Sequence, residues 1–176
     1  MSSTVPKKTW IVPIFLAASL LTHHAFAATP DPKLLPVAKI YQNFAWEALS
    51  DDSDLFGRTL ANQPVGILSQ YFDPTLSKML ADDAACQRRT QEFCNLDFDL
   101  LFDAQDPRIA DLTISAAAPN MVDVRFKDPV TEKETLITYT IAKFGQGWRI
   151  SDVTYSKKPG KTLRAMLSRP LKRKDK

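Results

Sequence analysis

Four stretches in the second half of the chain alternate apolar and polar residues, with only short breaks between them. They are "DLTISA" from Asp111, "MVDVRFK" from Met121, "ETLITYTIAKF" from Glu134 and "GWRISDVTY" from Gly147. A period of two puts every second side chain on one face of a strand. The breaks "AAPN", "DPVTEK" and "GQG" carry turn residues. Strands joined this tightly pair antiparallel, because a parallel neighbour needs a long crossover. This half therefore predicts an antiparallel meander of about four strands. The last strand breaks its own alternation. Trp148 and Ile150 share one face, whereas Val153 and Tyr155 fall on the other. Either both faces are covered or a bulge near Ser151–Asp152 shifts the phase. Bulges bend sheets, so a curved sheet with helices packed in its concave face is expected.

The first half has helical spacing. In "VAKIYQNFAWEAL", Val37, Ile40, Tyr41, Phe44 and Ala48 form one stripe, with Pro36 suited to the first turn and Trp46 off the stripe. "PVGILSQYF" reads as a short helix after Pro64. Asp73 and Pro74 make an N-cap and first helical position for "DPTLSKMLADDAACQRR", whose Leu76, Met79, Leu80 and Ala84 face inward. The fold class is thus α+β, N-terminal helices on an antiparallel sheet.

The extreme N-terminus has the pattern of a secretory signal peptide over residues 1–27. Lys7 and Lys8 precede the apolar run "WIVPIFLAASLL", and Ala25-Phe26-Ala27 is a small-x-small cleavage pattern. The run is short for a spanning helix. Cleavage near Ala27 would leave a periplasmic or secreted chain. Both histidines, His23 and His24, lie in this leader. The remainder then excludes Ser-His and Cys-His catalysis and His-ligated zinc.

Cys86 and Cys94 are expected to form a disulfide in an oxidising compartment. Eight residues of helix rise about 12 Å, beyond disulfide reach, so the helix carrying Cys86 must end before Cys94. Closing so short a loop is worth roughly 2–3 kcal/mol.

Charge is segregated. The net charge is +3, yet residues 157–176 hold nine Lys/Arg against Asp175, and the leader holds two lysines. The body, 28–156, is acidic at −7 once +8 and +2 are taken from the total. The basic tail, 157–176, is read as a solvated end, with contact to an anionic membrane surface or an acidic protein as the functional alternative. Leu163, Met166 and Leu167 form a minor apolar stripe within it. It lacks aromatic platforms, and no nucleic-acid partner is expected. Gly145 and Gly147 sit in a hairpin and make no phosphate loop.

Polar residues concentrate in "NLDFDLLFDAQDP", where Asp97, Asp99, Asp103, Gln105 and Asp106 interleave with Phe98, Leu101 and Phe102. One reading is a pocket mouth, in which apolar surroundings raise the pKa of a carboxyl group and make it a base without histidine. The other is a structural turn whose carboxylates accept backbone N–H bonds. A calcium site is disfavoured, because the loop glycine and terminal Glu are missing. Trp148, Tyr41, Tyr139 and Tyr155 either line the same cavity or fill a core. No metal or cofactor is called for.

Three pieces together, "KIYQNFAW", "LDFDLLFDAQDP" and "GWRISDVTY", resemble an exported bacterial family of unknown function with a nuclear-transport-factor-2-like (cystatin-like) fold. Phe98-Asp99 and Gln105-Asp106 fill that family's aromatic-Asp and Gln-Asp positions. Leu100 departs from it, standing where the family has proline. The resemblance implies a cone-like fold whose relatives often set an Asp against an apolar cavity, sometimes with a Tyr donor. It also implies sheets that pair face to face as a homodimer. Asp99, Asp103, Gln105, Asp106, Trp148 and Tyr155 are the candidate binding residues. The leading expectation is a periplasmic, non-enzymatic binding or accessory domain for a small ligand or a periplasmic protein. The alternatives are an immunity-type inhibitor of a cell-wall-degrading toxin, suited by the acidic body, and a small isomerase or dehydratase using a buried Asp.

Overall fold

The computed structural model describes residues 31–49, 53–158 and 160–171. The leader falls outside them. No helix among the described residues is long and apolar enough to cross a membrane.

Helix α1, Leu35–Phe44, buries Val37, Ile40, Tyr41 and Phe44, the stripe expected from spacing. It tightens into a 3-10 turn, Ala45–Ala48. That turn swings Trp46 onto Phe56, with parallel rings 5.4 Å apart. Phe56 ends the short α2, Ser53–Phe56. A second 3-10 turn, Leu60–Asn62, and a single-turn α3, Val65–Leu68, lead to the long α4, Pro74–Thr90. Asp73 caps α4 by accepting the Leu76 N–H at 2.8 Å, a contact worth about 1 kcal/mol. Gln91 stops the helix in a left-handed conformation, φ 59°. The chain can then double back, and Cys94 bonds Cys86 with their Cα atoms 6.2 Å apart.

Strands β1 (Ala110–Ala118), β2 (Met121–Lys127), β3 (Glu134–Phe144) and β4 (Gly147–Tyr155) form one antiparallel sheet in sequence order. The break in alternation along β4 is a bulge. Thr140 pairs with Asp152 and Ile141 with Ile150, leaving Ser151 as the extra residue. One inserted residue reverses the facing of everything beyond it. Ile150, Val153 and Tyr155 consequently all point into the core. The sheet is not strongly curled, so a bulge alone does not deliver the expected curvature.

One face of the sheet packs on the helices through Val122, Val124, Ile137, Tyr139, Ile150 and Tyr155. The other face carries polar pairs. Thr138 donates to Asp123 at 2.8 Å, and Arg125 bridges Asp123 and Glu134 at 3.1 Å each. Beyond the outer edge of β4, the stretch Tyr71–Asp73 adds a short parallel pairing. The Ile150 N–H donates to the Tyr71 carbonyl, and the Asp73 N–H donates to the Ile150 carbonyl.

Much of the segment read from sequence as a solvated basic tail is part of the domain. Helix α5, Leu163–Leu167, buries Leu163, Met166 and Leu167. Arg164 donates to Asp73 at 2.7 Å and to the Ser151 carbonyl at 2.8 Å. Residues 172–176 lie outside the described part.

Candidate functional site

The carboxylate-rich stretch between α4 and β1 folds into a tight loop held from several sides. The Asp99 side chain accepts the backbone N–H groups of Leu101 at 2.7 Å and Phe102 at 3.1 Å. The Asp99 N–H donates to the Ala104 carbonyl, and the Asp103 N–H donates back to the Asp99 carbonyl. Asp103 closes the turn with a left-handed φ of 52°, a conformation Asp tolerates better than most residues. Phenols from the core secure the loop's outward carbonyls. Tyr41 donates to the Leu101 carbonyl at 2.7 Å and Tyr155 to the Leu100 carbonyl at 3.2 Å. The Tyr139 hydroxyl lies 3.0 Å from that of Tyr41. Since Tyr41 gives its proton to Leu101, Tyr139 is the donor in that pair. Burial raises the pKa of all three phenols; neighbouring groups add to the rise at Tyr41 and Tyr155, while at Tyr139 the hydrogen bond with Tyr41 opposes it. They are neutral donors at physiological pH.

On the outer side, Asp99 and Glu47 border the same cleft, close enough that each perturbs the titration of the other. The 3-10 turn after α1 sets Glu47 there, and its Oε1 accepts the Leu60 N–H at 2.7 Å. Burial, followed by the hydrogen bond and the charge of Asp99, pushes Glu47 up to about 9. Burial also raises Asp99, while the bonds from Glu47, Leu101 and Phe102 oppose the rise. At neutral pH Glu47 therefore keeps its proton, and it titrates together with Asp99 as a coupled pair.

This pair borders a cleft of about 440 Å³. Ala61, Phe93, Leu96, Phe98 and Leu100 supply its apolar wall, and Gln87 and Gln105 stand on its polar side. Phe93, in the loop closed by the disulfide, is 63% exposed. A carboxylic acid beside a carboxylate can donate and accept at one point. The apolar wall around them lowers the dielectric and strengthens both bonds.

The candidates from sequence divide. Asp99 and Gln105 border the cleft. Tyr155 lies fully buried behind the loop and holds its backbone. Asp103 faces away from the cleft and forms a buried ion pair with Lys158, whose ammonium sits 3.6 Å above the Phe98 ring. Its other carboxylate oxygen, Oδ2, is buried without a partner. Asp106 is exposed and outside the cleft lining. Trp148 belongs elsewhere. It borders a separate hollow of about 260 Å³ near Pro36 and Lys39, with the Lys33 ammonium 5.3 Å from its ring.

Glu47 is the residue that sequence reasoning missed. Its signal is a carboxylate three positions after Phe44, in phase with the buried stripe of α1. Among the described residues, no group of three or more His, Cys, Asp or Glu side chains converges as a metal site. No family model, curated protein or solved structure matches this chain.

Proposed function

We propose that this chain is an exported, non-enzymatic binding domain whose cleft at Glu47 and Asp99 takes a small ligand. The scaffold in this reading is a flattened variant of the nuclear-transport-factor-2-like arrangement. The observation that carries the proposal is the convergence of the Glu47 and Asp99 carboxyl groups on one cleft whose wall includes Leu96, Phe98, Leu100 and the exposed Phe93. Concave apolar sites with a few convergent polar groups are where small molecules bind. The space between helices and sheet supports binding over the isomerase alternative. Tyr41, Phe102, Tyr139 and Tyr155 fill that interior, and the carboxyl pair lies outside them on the cleft wall. Asp99 also spends two of its acceptor positions on backbone N–H groups, which suits a fixed recognition element.

The test is a titration of the purified protein with a fragment collection, followed by backbone amide NMR. Binding is expected to shift the amides of residues 60–62 and 93–105 together, and Phe93→Ala is expected to weaken it. Fragments that bind only elsewhere, or a Phe93→Ala variant with undiminished affinity, would defeat the reading.

A further inference from the structure

We propose that the ligand of this cleft is a small organic cation, an ammonium group carried on an apolar body about the size of one aromatic ring. The inference rests on the binding reading above and adds the ligand's chemistry.

Three observations carry it. The first is where the backbone donors go. The Leu60 N–H is spent on Glu47, and the Leu101 and Phe102 N–H groups are spent on Asp99. These amides, the natural anion binders of such a loop, are already occupied. The second is charge. None of the described residues lining the cleft is Lys or Arg, while Asp97 and Asp99 both border it. The nearby cations line neighbouring hollows: Lys158, Lys161 and Arg169 one of about 480 Å³ across Asp97 and Phe98, and Arg88 one of about 560 Å³ beyond Asn62, Gln87 and Phe93. Within the cleft an anionic ligand would meet Asp99 with no cation lining the wall beside it, whereas a cation would be neutralised on arrival. The third is shape and surface. Phe93 and Phe98 present rings at the cleft, and Leu96 and Leu100 back them. A ring-bearing amine would cover this surface while its ammonium reached Asp99. The Phe98 ring already carries Lys158, so it is the exposed Phe93 ring that offers a face to a cation held close to it. A carboxylate accepts at about four lone-pair positions. Asp99 uses two on backbone N–H groups, both at Oδ1, which leaves Oδ2 to accept an ammonium N–H.

The experiment compares three probes of one shape and different charge: phenethylamine, phenethyl alcohol and phenylacetate. Each is titrated calorimetrically into the purified protein and into Asp99→Asn. The asparagine keeps an oxygen to accept the Leu101 and Phe102 N–H groups, and an unchanged melting curve verifies its fold. The amine is expected to bind at least tenfold tighter than the alcohol, the scale of one charge-assisted hydrogen bond. Phenylacetate is expected to bind weakest, and Asp99→Asn to erase the preference. Alcohol or acid binding as tightly as the amine, with the cleft amides shifted, overturns the cation and leaves the binding cleft standing. A preference that survives in Asp99→Asn overturns it as well. If no probe binds, the cation is refuted, and the fragment titration decides the cleft separately.

Discussion

Titrating Glu47 should make stability fall as pH rises. Burial pushes this group up to about 9, against an ordinary carboxyl value of 4.5. Between those two values the native protein holds a proton that the unfolded chain has released. Unfolding therefore gives up a proton, and each pH unit can cost up to about 1.4 kcal/mol. From about pH 5.5 to about pH 8.5 the ceiling is roughly 4 kcal/mol. Glu47 borders a solvent-filled cleft and titrates together with Asp99, so about half that ceiling, near 2 kcal/mol, is the expected loss. For a chain of this size the melting temperature should drop by about 4–8 °C over that range. The buried phenols are raised groups with the same sign, but their window opens above their ordinary value near 10. Asp128, lowered by the Thr131 and Val130 N–H groups, acts only at acidic pH. The assay is a pair of melting curves at each pH, wild type beside Glu47→Gln. The amide can still accept from Leu60 and donate to Asp99, which imitates the protonated acid. Glu47→Gln should therefore lose most of the slope. Parallel profiles for the two proteins would refute the retained proton on Glu47.

Three further perturbations test the frame around the site. Replacing Cys86 and Cys94 by serine opens the loop that holds Phe93, and denaturant melts should show a loss of about 2.5 kcal/mol with weaker ligand binding. Tyr41→Phe leaves the buried Leu101 carbonyl without its donor, which should cost about 1–3 kcal/mol and speed amide exchange at residues 101–104. Leu167→Ala hollows the contact between α5 and the core. Chemical unfolding should register about 2–4 kcal/mol, and a change within error would mean that α5 is dispensable.

The legible parts of this fold were those where one local pattern decides the outcome. Asp73-Pro74 announced the start of α4, and the spacing of Cys86 and Cys94 required that helix to stop between them. The failed alternation after Ile150 announced the bulge at Ser151. The site was legible in half. "DFDLLFDAQD" announced a carboxylate loop, and Asp99 and Gln105 do reach the cleft. Glu47 was hidden because what makes it distinctive, the Leu60 N–H and Asp99, lies 13 or more residues along the chain, so an acid in phase with the stripe of α1 reads alone as an ordinary helix residue. Asp103 was misleading for a different reason. Its partner, Lys158, lies 55 residues away, in a segment whose composition reads as solvated tail. Trp148 shares a strand with Tyr155, yet the bulge and the strand's length carry the two to different ends of the molecule.

The two margins of the sheet are unequal. Along β4, Phe72 pairs with Ile150 and Thr162 pairs with Thr154, so neighbouring parts of the same chain already occupy that margin. Among the described residues, the outer margin of β1 has no strand beyond it in the sheet. A second copy adding by backbone pairing has one place to dock, and a two-fold β1-to-β1 union would use it up on both partners. Growth by strand addition would then halt at an eight-stranded pair. Among the described residues, a sheet with one margin occupied admits such a closed pair and disfavours the endless stacking open to sheets bare on both sides.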